Sequence, residues 1–167
     1  MHRRLLIGLA ILAVVGVLVG VEILSGASNG SGTGRPAPRL PTSVLVPPKL
    51  TLASLRGKPA AINFWASWCD PCRQEASALE RLSGSLHGRA HLVGVNWTDG
   101  LSGARSYVSQ YHWTFPNLRD PDGVVGNSYR IQGLPTTFIV NSRGTITDVL
   151  RGPQSLGSLQ QALQAAR

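Results

Sequence analysis

The chain has two cysteines in 167 residues, and both lie within Trp68-Cys69-Asp70-Pro71-Cys72. Two thiols at C-x-x-C spacing directly after an apolar run are arranged for dithiol–disulfide exchange, in which one attacks a foreign disulfide and the other displaces the product. A purely structural bridge is a weaker reading. In the loop-entropy model, closing a four-residue loop contributes only about 2 kcal/mol, against about 4.7 for a 100-residue loop. A zinc site needs four Cys or His ligands, and His87, His91 and His112 show no ligand spacing relative to the pair. Redox chemistry leads, with the structural bridge and the metal site as its alternatives.

Such a pair has to be held by a strand and a helix. Ala60-Ala61-Ile62-Asn63-Phe64-Trp65-Ala66 is a compact apolar run of strand length, as expected of a strand buried on both faces. From Pro71 through Leu82 the spacing predicts a helix, with Ala76, Leu79, Leu82 and Leu86 on one face and Pro71 in the first turn. Cys69 then stands at the helix N-terminus, facing unpaired N–H groups and the positive end of the dipole. A thiol with a pKa of about 8.5 is roughly 3% ionised at pH 7, whereas one tuned to about 7 is half ionised. Asp70 opposes that tuning, because a neighbouring carboxylate disfavours a second negative charge. A less stabilised thiolate means a less stabilised reduced form and a lower potential, so the pair is expected to reduce rather than oxidise.

The remaining pattern alternates strand and helix. Leu50-Thr51-Leu52 reads as a short strand before the turn Arg56-Gly57-Lys58-Pro59, and residues 91–97 read as a second buried strand. Residues 104–111 read as a helix, which makes a parallel unit of right-handed crossover. After the turn Asp120-Pro121-Asp122-Gly123 come a short helical piece over 124–129 and a strand over 136–140. The turn Asn141-Ser142-Arg143-Gly144 leads into a hairpin partner over 145–150. Leu156, Leu159, Leu163 and Ala166 mark a closing amphipathic helix.

The N-terminus has a different character. After residues 1–4, with Arg3 and Arg4, the segment Leu5 to Ile23 contains only Leu, Ile, Val, Ala and Gly apart from Glu22. A helix over 5–24 would be about 30 Å long, enough to span a bilayer core. With arginines before it and no Lys or Arg over 25–34, the positive-inside rule puts residues 1–4 in the cytoplasm and the rest outside. A cleaved signal peptide is the rival, with small residues Ser25-Gly26-Ala27 available, but its apolar core is usually only about 7–15 residues. Residues 25–43 are rich in Gly, Ser and Pro and read as a flexible tether, leaving 44–167 as the globular domain.

The net charge of +8 does not make a nucleic-acid binder, because 12 of the 16 Lys and Arg fall singly along 44–167 among seven acids. Scattered cations of this kind belong to a solvated surface, with attraction to anionic lipid headgroups as a secondary reading. Neither a cofactor nor a metal is expected, and the chain is expected to be a monomer.

A parallel unit with C-x-x-C at its first helix, followed by Gly133-Leu134-Pro135-Thr136-Thr137 and a hairpin, resembles the thioredoxin fold: a central mixed sheet flanked by helices, here with an N-terminal transmembrane helix. A narrower resemblance is carried by residues 63–75 (NFWASWCDPCRQE), Gly94-Val95-Asn96, Phe115-Pro116, residues 120–123 and residues 133–138. These are similar to the TlpA/ResA family of membrane-anchored, extracytoplasmic thioredoxin-like proteins.

The resemblance implies that Pro135 is a cis proline beside the cysteines and that Leu134 offers its backbone to an extended substrate segment. It implies that Asn63 replaces the buried aspartate of thioredoxins, and that Glu75, one helical turn past Cys72, serves the site. An exposed helix carboxylate is the plain alternative for Glu75. The expected mechanism has Cys69 as nucleophile, Cys72 as resolving thiol and Glu75 as base, with Trp68 shaping the docking surface. Expected partners are protein disulfides, apocytochrome c among them by resemblance, and a membrane protein supplying electrons. An oxidant or isomerase of secreted proteins and a non-redox chaperone module are the alternatives. A peroxidase fits less well, since no separate peroxidatic motif is visible.

Overall fold

The computed structural model describes residues 32–167. The expected cytoplasmic end, the anchor over 5–24 and tether residues 25–31 lie outside the described residues. Among the described residues no helix is long and apolar enough to cross a membrane.

Six strands form one mixed sheet: β1 Ser43–Val46, β2 Ala60–Trp65, β3 His91–Trp97, β4 Asn117–Asp120, β5 Thr136–Val140 and β6 Ile146–Arg151, in the order β1-β4-β3-β2-β5-β6. β2, β3 and β4 run parallel, while β5 lies antiparallel to β2, β6 to β5 and β1 to β4. All six residues of β2 are buried, as the run of apolar residues requires of a central strand covered on both sides.

Helices α2 Asp70–Ser85, α3 Leu101–Gln110 and α5 Leu156–Ala165 contribute Leu79, Leu82, Ala104, Tyr107, Leu159 and Leu163 to the core on one sheet face. On the other face, α1 Leu52–Leu55 and α4 Val124–Tyr129 contribute Leu55, Val125 and Tyr129. Trp65 lies fully buried between the rings of Tyr107 and Trp113, at 4.7 and 4.9 Å, and donates its indole N–H to Asn117 Oδ1 at 2.8 Å. Gly94 makes room for that amide, and a Cβ there would overlap Asn117 Oδ1. Gly94→Ala is therefore expected to destabilise the fold by about 2 kcal/mol through overpacking. A lowered denaturant midpoint checks this, and an unshifted midpoint contradicts the packing account.

Several sequence expectations need correction. Leu50-Thr51-Leu52 is no strand. Thr51 caps α1, its side chain accepting from the Ser54 N–H while the Ser54 hydroxyl accepts from the Thr51 N–H, and this reciprocal pair outweighs two alternating leucines. The second helix starts at Leu101 rather than Ala104, with Gly100 at its N-cap. Strands β1 and β4 were not read from the pattern. β4 hides its strand character because Asn117 is committed to Trp65, and Asp120 accepts from the N–H groups of Val125 and Gly126 at the start of α4.

The stretch over 32–43, which the composition assigns to the tether, packs on the domain. Pro36 bridges Thr145, Ala37 and Leu40 are buried, and the Tyr129 hydroxyl donates to Pro38 O at 2.7 Å. A proline-rich segment builds no ladder of its own, but it can cover a sheet face with side chains and lend its carbonyls to neighbours.

Candidate functional site

β2 ends at Trp65, and four residues later Cys69 caps α2 in extended conformation (φ −84°, ψ 101°). Its sulfur accepts the Cys72 N–H at 3.1 Å, one of the donors that a helix start leaves unpaired. Pro71 occupies the first turn and forfeits no hydrogen bond there. Cys69 and Cys72 are joined in a disulfide, with their Cα atoms 5.3 Å apart. The structure is thus of the oxidised form.

Cys69 is only 4% exposed and Cys72 1%. An attacking sulfur at a helix start has to be reachable by a foreign disulfide, and here it is covered. In this oxidised form the sulfur is bonded to Cys72, and both residues belong to the apolar cluster of Ala66, Ala76 and Leu79. What stands open beside it is Trp68, 56% exposed, its indole N–H donating to Thr98 O at 3.2 Å. Arg73 lies 3.4 Å from Asp70 in an exposed pair, so a cation accompanies the carboxylate that opposes a thiolate.

Pro135 follows a cis peptide from Leu134 and leads into β5, whose first residue, Thr136, pairs with Phe64 near the end of β2. This register brings 134–135 to the cysteine end of the sheet, and Leu134 packs against the cluster that holds both cysteines.

Glu75 is not an exposed helix carboxylate but is fully buried, on the same face of α2 as Cys72 and one turn further along. It accepts from Asn63 Nδ2 at 2.7 Å and from the Gln154 N–H at 2.9 Å. Burial pushes its carboxyl up from 4.5 to about 7, and the two hydrogen bonds pull in the opposite direction without winning. Asn63 also donates to Thr137 Oγ1 at 2.9 Å, so the residue in the aspartate position anchors the acid on α2. The buried amide oxygen of Asn63 has no hydrogen-bond partner among the described residues.

Sequence reasoning missed Asp99. Its carboxylate accepts from the Ser67 N–H at 2.7 Å, the Ser67 hydroxyl at 2.9 Å and Asn96 Nδ2 at 2.7 Å. The turn that presents Trp68 and Cys69 is thereby tied to the end of β3. A lone aspartate in Trp97-Thr98-Asp99-Gly100 carries no sequence signal for that role. Gln154 was missed as well, because it acts through its backbone.

Among the described residues no group of three His, Cys, Asp or Glu side chains could hold a metal ion. A mixed sheet with a helix-capping C-x-x-C disulfide and a cis proline at the same end defines a thioredoxin-like thiol–disulfide oxidoreductase, acting on protein thiols.

The AhpC/TSA family model matches residues 33–149, and the chain belongs to that family. It is 34% identical to the thioredoxin-like protein YneN of Bacillus subtilis over 137 residues, 80% of each chain. It is 29% identical to the thiol-disulfide oxidoreductase ResA of the same organism over 154 residues, 90% of this chain and 86% of ResA. The solved structure of a secreted disulfide oxidoreductase of Mycobacterium tuberculosis, homologous to E. coli DsbE, superposes with a TM-score of 0.67 at 29% identity, covering 75% of this chain and 95% of that one. These relatives agree with the TlpA/ResA-like resemblance of the sequence.

Proposed function

We propose that the chain is a membrane-anchored, extracytoplasmic reductant of protein disulfides, with Cys69 as nucleophile, Cys72 as resolving thiol and Glu75 as its base. The observation that carries this reading is the buried Glu75, poised at about 7 one helical turn beyond Cys72. A group that must take a proton near neutral pH works best with a pKa near that pH.

In the reduced protein the Cys69 thiolate attacks one sulfur of a substrate disulfide. The Cys69–substrate bond forms, the substrate S–S bond breaks, and the departing thiolate takes a proton from water. Glu75 accepts the Cys72 proton, and the Cys72 thiolate attacks Cys69 Sγ and releases the second substrate thiolate, which is protonated in turn. Two electrons pass to the substrate and the protein is left as its Cys69–Cys72 disulfide, the form described above. A membrane electron donor completes the cycle by reducing it.

Trp68 and the Leu134–Pro135 backbone form the docking surface for an extended substrate segment, whose main chain pairs in strand fashion. The apolar run over 5–24 is the anchor, and the secreted mycobacterial relative suits a domain outside the cytoplasm. The TlpA/ResA resemblance favours apocytochrome c before haem attachment as the substrate class, and the ResA relative is itself a thiol-disulfide oxidoreductase. Redox titration of the full chain tests the direction of flow. A potential near or below the thioredoxin value of about −270 mV is expected, and one near the DsbA value of about −120 mV makes the protein an oxidant instead.

A further inference from the structure

β2 runs from Ala60 toward the cysteines, and its starting end is covered by three turns. Arg56 and Lys58 lie on the first, Arg89 on the second and Arg143 on the third, all exposed. The turns are knit together. The Gly57 N–H donates to Ser142 O at 2.9 Å, and the His91 N–H donates to Pro59 O at 2.9 Å. A Cβ on Gly88 would lie 3.9 Å from the Lys58 ammonium. Arg167, at the end of α5, lines one groove with Arg89.

No Asp or Glu occurs over 49–59, 86–91 or 141–145. Glu80 is held by the N–H and hydroxyl of Thr114, and Asp148 stands on edge strand β6 opposite Ile139. Asp70, Asp99, Asp120 and Asp122 all belong to the cysteine end, near the termini of β2, β3 and β4. The turns at the basic end thus carry cations without acids of their own, while Asp148 lies nearby in register with Ala61, and Arg73, Arg119 and Arg151 stand with the acids at the cysteine end. His91 registers the local field: burial, and then the charge of Lys58, lower its pKa.

The backbone entering the domain arrives at this same end. The Gly34 N–H donates to Ile146 O at 2.8 Å, the Ala37 N–H donates to Gly144 O at 2.9 Å, and the Ile146 N–H donates to Arg35 O at 2.9 Å. Only seven residues, 25–31, separate position 32 from the end of the apolar run at 24, and even fully extended they reach about 25 Å. If that run is an anchor, covalent connectivity keeps the basic end near the bilayer surface, within a few screening lengths of about 8 Å.

We propose that Arg56, Lys58, Arg89, Arg143 and Arg167 form a docking face for anionic lipid headgroups, which seats the domain with Cys69–Cys72 pointing away from the bilayer. The orientation rests on the anchor reading, whereas the affinity of the face for anionic lipid does not. Substrates and the electron donor then meet the cysteines at the outward end, across the depth of the sheet. Each cation near an anionic surface contributes about fivefold in association, so reversing three of them weakens docking by about a hundredfold or more.

The test uses the full chain in nanodiscs of phosphatidylcholine alone or of phosphatidylcholine with phosphatidylglycerol, read by hydrogen exchange. Exchange at 56–58, 86–90 and 141–145 is expected to slow severalfold only in the anionic discs. The triple variant Lys58→Glu, Arg89→Glu, Arg143→Glu and high salt should each abolish the difference, salt doing so without any mutation. Equal exchange of these turns in both discs overturns the proposal, as does protection of the cysteine end instead, or protection that needs an added acidic protein. If the chain does not enter phosphatidylcholine discs at all, the anchor reading fails separately. The lipid face is then decided by co-sedimentation with phosphatidylglycerol vesicles, where binding sensitive to the triple variant supports it and no binding overturns it.

Discussion

Cys69→Ala is expected to abolish reduction of protein disulfides, with turnover falling about a thousandfold or more, because the one thiol left, Cys72, has no second sulfur with which to complete the exchange. The fold should survive. Cys69 contributes little as a staple, since a four-residue loop carries only about 2 kcal/mol of closure entropy, and its helix-capping contact with the Cys72 N–H is worth about 1 kcal/mol. Loss of turnover with a modest change in thermal midpoint fits the reading, whereas retained turnover places the chemistry elsewhere.

Glu75→Gln is expected to act in two measurable ways. The carboxyl is held at about 7 by burial, against an ordinary value of 4.5. The folded state therefore keeps a proton that the unfolded chain releases between these values. The resulting stabilisation is fully present below pH 4.5 and is lost as pH rises through 7, an amount of about 3 kcal/mol. Glutamine cannot titrate, so the stability difference between wild type and variant should change across pH 4.5 to 7 and then level off.

The second effect is on resolution. Its rate in the wild type should climb with pH as Glu75 ionises and flatten above 7, and the variant should lose this inflection along with about a hundredfold in rate. A variant with an unchanged pH profile returns Glu75 to a packing role. The kinetic readout is the one that discriminates, because a merely structural carboxylate would alter stability without reshaping the kinetics.

Much of the site is legible in the sequence because its chemistry is local. Cys69, Cys72 and Pro71 sit in one turn, and the strand-to-helix transition that presents them follows from a continuous apolar run and a 3.6-residue period. The cis bond before Pro135 was reachable only through resemblance, since an isolated Pro-Thr-Thr reads equally well as an ordinary strand start. Residues acting through long-range contacts were reachable through resemblance, as with Glu75 and Asn63, or not at all, as with Gln154. Glu75 meets Asn63 from β2 and Gln154 from the entrance to α5, and it is these partners, not its spacing from Cys72, that decide whether it is buried.

Asp99 holds the cysteine turn from 32 residues away in sequence. The elements missed are those whose polar side chains are satisfied internally, as in β4, or whose backbone borrows partners, as in the proline-rich stretch over 35–40. Composition separates a tether from a core only when the segment has nothing to cover. Here Ala37 and Leu40 cover a sheet face.

The most direct measurement is the mass of the adduct that the Cys72→Ala protein forms with a disulfide substrate under conditions where the wild type turns over. With the resolving thiol gone, a mixed disulfide should accumulate stoichiometrically, and peptide mapping should locate the substrate on Cys69. Turnover without any trapped adduct would contradict the exchange of bonds between these two sulfurs.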